Sequence, residues 1–502
     1  MNGALIGRVF SAALLACAVD VSAKVFDIVV AKDGSGDYKT IADAIKAVPD
    51  NSSSRTLIFV KKGVYAERVT IGSAKKNVSL IGENADSAII RYGYFAGKND
   101  DGTVISGYQG TTVFTIQGPD LYAENITFHN SAGPRGVALA ISTEADRTIT
   151  RNCRFIGYQD TYRAHKYRQY HADCVVEGGV DYIYADGQVL FDRCTLRTVS
   201  PGSVIAAPGE ARQKKTVSGK EVLLGFLFNE CKVVAGTGVA DRKVNLGRMW
   251  GPQYPAAVYS KCVLGTQVSD VGWATMSSGA ENTSFVGEYD SRRSDGSAVD
   301  VSKRISWSRQ ISSELQKRIF NSDSFFVGST GSWGTTAWHP KKTIVSLPAA
   351  EGMQYSNKAL SWKAVSSAKG YLIYKNGIYA GMSESNSFSV TLSSGDEVGI
   401  KAVSSFGSTG VLATYKVGST GVLRVDEAPR IDARLSHGLL VVDGVFGEGA
   451  SIQISDLRGR ILTEARLSKS GAIQVGKLSS GIYLVRVSRP GYSEQLIRLS
   501  HL

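Results

Sequence analysis

Five short segments share one pattern, in which a polar residue precedes a cysteine and a strand of alternating apolar and polar residues follows. They read RNCRF (151–155), ADCVV (172–176), DRCTL (192–196), NECKV (229–233) and SKCVL (260–264). ENITF (124–128) and KNVSL (76–80) show the same pattern with asparagine in the place of cysteine. Seven occurrences argue against the chance recurrence of a common strand pattern.

The spacing of these segments predicts the fold. Counted from Asn125, the successive separations are 28, 21, 20, 37 and 31 residues. A variable repeat of this length, built on short strands, is typical of a solenoid whose insertions fall in loops. We therefore predict a parallel β-helix whose coils stack about 4.8 Å apart, so that equivalent side chains form ladders. The cysteines are expected to form a buried column of free thiols, although neighbouring coils could also bring two of them together as a disulfide.

A helix is predicted at the start of the repeat. In TIADAIKAV (40–48), the apolar residues recur at helical spacing and Thr40 suits the N-cap. We expect this helix to cover the open end of the first coil, where unpaired strand edges otherwise invite association.

Composition excludes several classes of protein. Of 502 residues, 43% are hydrophobic and 20% charged, which excludes a mainly disordered chain. The 54 glycines follow no Gly-X-Y period, which excludes collagen, and they suit the many turns between short strands. The net charge of +12 is spread along the chain rather than gathered in basic runs. This distribution favours a polyanionic partner over nucleic acid.

The first 23 residues are predicted to be a secretory signal peptide. Arg8 precedes an apolar stretch at 9–18, and VSA (21–23) supplies small residues at a cleavage site. LLAC (14–17) also resembles a lipoprotein cleavage box, which would leave Cys17 lipidated. We expect export through the periplasm to the medium or the cell surface, since no later segment is long and apolar enough to span a bilayer.

Two aspartates occupy equivalent places on the repeat. Asp160 lies in GYQDTY (157–162) and Asp181 in VDYIY (180–184), 21 residues apart, which equals the separation of Cys153 and Cys174. They are therefore expected on adjacent coils about one strand spacing apart. Two carboxylates that close cannot both ionise freely, so one can act as an acid and the other as a nucleophile. A purely structural ladder of turn aspartates is the alternative.

Other residues near these aspartates suit catalysis. Gln159 could donate a hydrogen bond to a developing oxyanion, and Arg248 in LGRMW (246–250) could hold one aspartate ionised. Trp250 offers a flat face for a sugar ring. Four tyrosines lie near the same point and could either pack or contact a ligand: Tyr158, Tyr162, Tyr182 and Tyr184.

These residues carry a resemblance to the pectin methylesterases. Matching stretches follow one another at 31–41, 62–67, 125–128, 157–161, 181–184, 246–250, 271–273, 287–289 and Trp333. The resemblance implies that residues 24–345 form a right-handed parallel β-helix. It further implies hydrolysis of the methyl esters of galacturonate units in pectin, giving acidic pectate and methanol without a metal or organic cofactor.

The resemblance also implies a role for each matching residue. Asp181 attacks the ester carbonyl, while Asp160 protonates the departing methanol and then activates water. Gln159 stabilises the oxyanion, Arg248 positions Asp181, and Trp250 stacks on a galacturonate ring.

The sequence departs from the family at the expected substrate wall. Arg135, in RGVAL (135–139), replaces a second oxyanion glutamine, and YIYA (182–185) replaces Phe-Ile-Phe-Gly. Met249 replaces a proline. We predict that esterase chemistry is retained and that Arg135, Tyr158 and Tyr182 join Arg248 and Trp250 in binding substrate.

Two further functional classes compete with the esterase. A pectin-active lyase would need a calcium-binding acidic cluster, and an inverting glycosidase would need carboxylates about 6.5–9.5 Å apart. The one-coil spacing of the aspartates argues against the glycosidase. The substitution of Arg135 leaves open a catalytically altered or silent β-helix protein that binds pectin-type glycans.

The last third of the chain is predicted to form two small β-sandwich domains, which completes an all-β protein. Residues 346–422 resemble a fibronectin type III module with short alternating strands. Residues 426–502 resemble the C-terminal sorting domain of type IX secretion, through DLRGR (456–460) and GIYLVR (481–486). This resemblance implies a further partner, the outer-membrane secretion machinery.

Overall fold

A computed structural model describes residues 24–417, apart from 201, 277–278 and 334, and eight strands beyond residue 417. The predicted signal peptide, with Cys17, lies outside the described residues, as do residues 457–460 of the DLRGR turn. Among the described residues, no helix has the length and apolar character needed to cross a bilayer.

The chain winds through three parallel sheets, and this confirms the predicted parallel β-helix. Sheet 1 contains Ile28–Val30, Thr56–Val60, Val78–Gly82, Tyr122–Glu124, Thr148–Arg151, Arg168–Ala172, Gln188–Asp192, Phe226–Asn229, Ala256–Ser260, Phe285–Tyr289 and Arg309–Gln310. Sheet 2 contains Gly63–Tyr65, Ala88–Tyr92, Thr127–Asn130, Arg154–Ile156, Val175–Gly178, Thr195–Thr198, Lys232–Ala235 and Val263–Leu264. Sheet 3 contains Val69–Ile71, Phe114–Ile116, Ile141–Thr143, Tyr162–Ala164, Ile183–Ala185, Val204–Pro208, Asn245–Met249 and Trp273–Thr275.

The predicted helix forms at Ile41–Ala47 and packs against the first coil. The Thr40 hydroxyl accepts a hydrogen bond from the Asp43 N–H at 3.1 Å, which caps a backbone donor that the helix leaves unpaired. Ile41 and Ile45 face inward and join the hydrophobic core that fills the coils. The helix thus covers apolar side chains that the first coil would otherwise expose.

The cysteine column is confirmed for the described residues. Strand register places each cysteine beside its counterpart on the next coil, and all are buried free thiols: Cys153, Cys174, Cys194, Cys231 and Cys262. The asparagine equivalence was wrong in its position. Asn125 lies beside Asn152, one residue before the cysteine, and Asn77 precedes a strand of sheet 1 and belongs to a different turn.

Segments outside the coils cover the outer face of sheet 1. Phe320 and Phe326, which follow the last coils, pack there in one apolar cluster with Leu227 and Val258. The other short elements are the strands Gly97–Lys98, Val104–Ile105, Gln213–Val217, Lys220–Leu224 and Thr330–Gly331, the α-helices Ser313–Arg318 and Pro340–Thr343, and the 3-10 helices Gln109–Thr111 and Ala280–Thr283.

Beyond residue 345 the strands are antiparallel. One sheet contains Glu351–Ser356, Ala359–Lys363 and Ser387–Ser389, and a second contains Ile378–Ser383, Ala368–Lys375, Glu397–Ser404, Ala413–Lys416 and Val422–Arg424. These two sheets share a hydrophobic core that includes Trp362 and Ile400. The remaining described strands form one sheet of Asp432–Ser436, Leu439–Asp443 and Ala472–Gln474 and another of Ile461–Arg466, Ser451–Asp456, Gly481–Ser488 and Gln495–His501. The domain boundaries and the classification of both units stay predictions.

The first of these units is docked on the outer face of sheet 1. The Phe406 ring packs against Tyr122, with centroids 5.0 Å apart. The Thr409 hydroxyl donates to Glu124 Oε1 at 2.5 Å, and the Thr409 N–H donates to Oε2 at 3.1 Å. Arg151 also donates to the Thr409 carbonyl at 2.7 Å. These contacts fall on sheet 1, and a cleft opens over the coils of sheet 3 that carry the aspartates.

Candidate active site

Asp160 and Asp181 occupy the turn that enters sheet 3 on two adjacent coils. Tyr162 pairs with Ile183 in sheet 3, and the Asp160 N–H donates to the Val180 carbonyl at 3.0 Å. Both aspartates adopt left-handed backbone, with φ of 62° and 46°, a conformation that aspartate tolerates better than most residues. The predicted adjacency of the two aspartates is therefore present in the structure.

The two carboxylates differ in their electrostatic environments. Arg248 Nε donates to Asp181 Oδ1 at 2.8 Å, and Nη2 donates to Oδ2, so the guanidinium grips both oxygens of the carboxylate. The same ion pair raises the pKa of Arg248. Burial and the negative charge of Asp181 together raise the pKa of Asp160 to about 7, with Arg248 opposing them in part. Asp160 is thus suited to hold a proton beside the arginine-paired Asp181.

A cleft of about 350 Å³ opens over this pair. Gln159, Asp160, Asp181, Arg248 and Trp250 all line it, so the structure brings five of the predicted site residues together. The Gln159 carboxamide forms no hydrogen bond to the part of the chain that the structure describes, which leaves its N–H groups available to a ligand.

The structure does not place Tyr182 in the cleft, which corrects the expectation that it binds substrate. Its side chain is fully buried in the β-helix core, and its hydroxyl lies 3.0 Å from Thr198 Oγ1. Gly178 provides the necessary space, because a Cβ at that position would fall 2.2 Å from the Tyr182 Cβ. The turn therefore directs Tyr182 inward.

Arg135 and Tyr158 also lie outside the cleft lining. Arg135 Nη1 lies 2.8 Å from both carboxylate oxygens of Asp100, and Arg135 Nε donates to the Ala132 carbonyl at 3.0 Å. The Tyr158 ring lies over Gly179, where an added Cβ would come within 2.9 Å of it. The substrate-binding roles predicted for these two residues gain no support from their positions.

The family model for pectinesterases matches residues 27–329. This chain belongs to the pectinesterase family. A probable pectinesterase/pectinesterase inhibitor 13 of Arabidopsis thaliana is 34% identical over 301 residues, covering 58% of this chain and 46% of that protein. Pectinesterase 31 of the same plant is 33% identical over 287 residues, covering 56% of this chain and 86% of that protein. The chain spans roughly half the length of the first of these curated relatives.

A solved pectinesterase has the same fold. The structure of pectin methylesterase from carrot aligns with a TM-score of 0.52 and 28% identity, covering 60% of this chain and 92% of that one. The family match ends at residue 329, so the antiparallel sheets beyond residue 345 lie outside it.

The cleft of this pectinesterase-family chain contains Tyr184, which the sequence marked as a residue that packs or contacts a ligand, and three residues that the sequence analysis did not select, Arg163, Tyr108 and Met276. Arg163 and Tyr184 are next to each other on the outer face of sheet 3 and line the cleft with Tyr108 and Met276. The Tyr184 ring meets Trp250 edge to face, with centroids 5.9 Å apart. Strand alternation could have identified Arg163, because the inward-facing Tyr162 precedes it immediately. No comparable signal marks Tyr108 or Met276, which lie outside the strands.

The arrangement can support acyl transfer. It combines a carboxylate paired with an arginine, a carboxyl of raised pKa one coil away, an amide donor and an aromatic wall. In the described part of the chain, no three or more histidine, cysteine, aspartate or glutamate side chains are grouped so as to hold a metal ion.

Proposed function

We propose that the protein is a pectin methylesterase, which hydrolyses methyl esters of galacturonate units in pectin to free carboxylates and methanol. Family membership and the likeness to the carrot enzyme support the substrate class. The observation that carries the chemistry is the unequal pair of adjacent aspartates. Arg248 binds both oxygens of Asp181, whereas burial and its neighbour raise the pKa of Asp160 to about 7.

Acylation begins when an Asp181 oxygen attacks the ester carbonyl carbon. Gln159 donates a hydrogen bond to the oxyanion of the tetrahedral intermediate. The carbon–oxygen bond to the methoxy group then breaks, and Asp160 gives its proton to the departing oxygen, which leaves as methanol. Arg248 donates to both oxygens of Asp181 and so orients the carboxylate for attack.

Deacylation uses the same two residues in reversed roles. Asp160, now ionised, takes a proton from water as the water attacks the anhydride carbonyl carbon. The bond to Asp181 breaks, which releases the uronate carboxylic acid and restores the Asp181 carboxylate, while Asp160 carries the proton for the next cycle. One water is consumed for each methanol formed.

The cleft wall suits a sugar polymer. Trp250 is 41% exposed and Met276 48% exposed, so both present apolar surface to solvent at one end of the cleft. A galacturonate ring can stack on the Trp250 face, and the net charge of +12 favours approach of an anionic polymer.

We also propose that the protein is exported through the periplasm and that residues 426–502 direct it through the type IX pathway. The sequence motifs of both ends support this route. Deletion of residues 426–502 is expected to leave active enzyme in the periplasm of a host with that pathway. Unchanged export of the shortened chain would contradict this assignment.

Methanol release from methylated pectin tests the catalytic proposal. Asp181→Asn should lower the rate by at least about 10³-fold, because asparagine is not a nucleophile. Asp173→Asn is the matched control, since Asp173 is also a left-handed turn residue, on the opposite side of the same coil, and lies away from the cleft. If the wild-type protein releases no methanol yet is retained by a pectin affinity gel, a silent glycan-binding protein replaces the esterase.

A further inference from the structure

The outer face of sheet 3 forms the floor of the cleft. Register pairs Arg163 with Tyr184 and Tyr184 with Ala207, and the next strand places Arg248 beside Ala207. Three coil spacings of about 4.8 Å therefore separate the backbones of the two arginines by about 14 Å. Asp160 lies on the same coil as Arg163, and Asp181 on the same coil as Tyr184.

The cleft has an apolar end and a cationic end. Trp250 and Met276 follow the strands of Arg248 and of the next coil, whereas Arg163 lies on the coil of Asp160 and stacks over Tyr108. Among the described residues that line the cleft, Arg163 and Arg248 are the two cations. Asp181 engages two donor groups of Arg248, whereas Glu144 engages one donor of Arg163, so Arg163 keeps more donors for a ligand.

Arg163 is held in place but only partly satisfied. Its side chain is 7% exposed, and its guanidinium stacks over the Tyr108 ring at 4.1 Å. Nη1 donates to Glu144 Oε1 at 3.0 Å, which is its one hydrogen bond within the described chain. An arginine carries five N–H donors, and they bond most strongly to an anionic acceptor. The unused donors of this fixed side chain are therefore available at the wall of the cleft.

A polyuronate offers two kinds of group to such a site. A methyl ester is neutral and accepts hydrogen bonds weakly, whereas a free carboxylate is anionic and matches the fork of a guanidinium with two parallel hydrogen bonds. Pectin that has been partly de-esterified carries both groups along one chain. The apolar end of the cleft suits the ester, and the Arg163 end suits the carboxylate.

We propose that Arg163 forms a carboxylate-binding subsite, which makes the protein prefer methyl esters that have a free uronate carboxylate nearby on the same polymer. The preference for partly de-esterified pectin rests on the proposed esterase function. The binding of a uronate carboxylate by Arg163 does not require turnover. Carboxylate binding and the preference during catalysis can therefore be tested separately.

Binding of unesterified hexagalacturonate, measured by titration calorimetry, tests the subsite itself. Arg163→Gln is expected to weaken binding about tenfold, since a charge-assisted pair of hydrogen bonds is lost. The loss should shrink as salt rises from about 0.05 to about 0.5 M, because ions screen the attraction. Arg197→Gln is the matched control, since Arg197 is a half-exposed arginine of sheet 2 that pairs with Glu177 outside the cleft.

A second variant distinguishes loss of the subsite from misfolding of Arg163→Gln. Glu144→Gln removes the negative charge that competes for Arg163, and it is expected to strengthen hexagalacturonate binding about threefold or more. Opposite effects of the two variants would support the subsite. Unchanged binding in both variants, with thermal melting curves that show folded protein, would overturn it.

Methanol release from highly methylated and from partly de-esterified pectin tests the preference. Arg163→Gln should lower kcat/KM about tenfold more on the partly de-esterified polymer than on the highly methylated polymer. Equal losses on both polymers would overturn the preference. If the wild-type protein releases methanol from neither polymer, yet Arg163→Gln still weakens binding, the subsite stands and the proposed esterase function fails.

Discussion

Two turns of the β-helix have the same left-handed backbone conformation but carry side chains with opposite electrostatic relations. We call them the first turn, between sheets 1 and 2, and the second turn, which enters sheet 3. In the turn between sheets 1 and 2, left-handed residues stack on consecutive coils and pair with one another. Asn152 Nδ2 donates to Asn125 Oδ1 at 2.6 Å, and Arg193 donates to both oxygens of Asp173 at 3.0 Å. In the turn that enters sheet 3, the left-handed residues are two aspartates of like charge.

The difference shows what a functional turn costs. Amide and arginine donors satisfy the first turn, which makes it a structural ladder. In the second turn one cation serves one carboxylate, and the other carboxylate has a pKa of about 7 because ionisation there would be unfavourable. Stability is given up at the site where an acid and a nucleophile must meet.

The largest effect is expected from a substitution in the second turn. Asp160→Asn should lower methanol release about 10²–10⁴-fold, because the general acid and base is lost while the shape is kept. Asp173→Asn, the same change in the first turn, should leave the rate within about twofold. Similar losses in both variants would mean that the two turns do not differ in function.

The pH profile sharpens the comparison. Since the pKa of Asp160 is about 7, kcat/KM should fall about tenfold per pH unit above that value as the acid form is lost. Initial rates of methanol release between about pH 5 and 9 measure this. Asp173→Asn should reproduce the wild-type profile, and a profile that stays flat above pH 7 would remove Asp160 from the role of acid.

Unfolding equilibria should show how much the Asp160–Asp181 pair lowers the stability of the folded protein. Between the unfolded-state pKa of about 4 and the folded-state pKa of about 7, the folded protein keeps a proton on Asp160 that the unfolded chain releases. The free energy of unfolding therefore falls as pH rises through this window. Asp160→Asn should be more stable than wild type by about 1–3 kcal/mol at pH 8 and by almost nothing near pH 4. Urea titrations at both pH values measure the difference, and a gain that is independent of pH would contradict its electrostatic origin.

The smallest effect is expected from a substitution in the first turn. Arg193 also donates to buried Asp192 at 2.8 Å, so Arg193→Gln should lower the free energy of unfolding by about 1–2 kcal/mol. Its kcat/KM should stay at the wild-type value, because Arg193 lies outside the cleft. Parallel urea and methanol-release assays check this, and a rate loss without a stability loss would reverse the roles of the two turns.

The sequence could predict the coils because the number of residues between equivalent positions can be read directly from it. Cys153 and Cys174 are separated by the same 21 residues as Asp160 and Asp181, so each pair had to fall on adjacent coils. The equivalence of Asn77 failed because a polar residue before a short strand occurs at more than one turn of a coil. Spacing identifies the coil, but it does not identify the turn.

The amino-acid sequence by itself determined the β-helix, the cysteine column, the adjacency of Asp160 and Asp181 and the family to which the chain belongs. Tertiary structure alone decided that Tyr182 points into the core, that Arg135 binds Asp100, and that the unselected Arg163 reaches the cleft. The physical reason is that the repeat length determines on which coil of the solenoid a residue lies. The direction of a side chain and the charges around it depend on turn geometry and on residues from other coils.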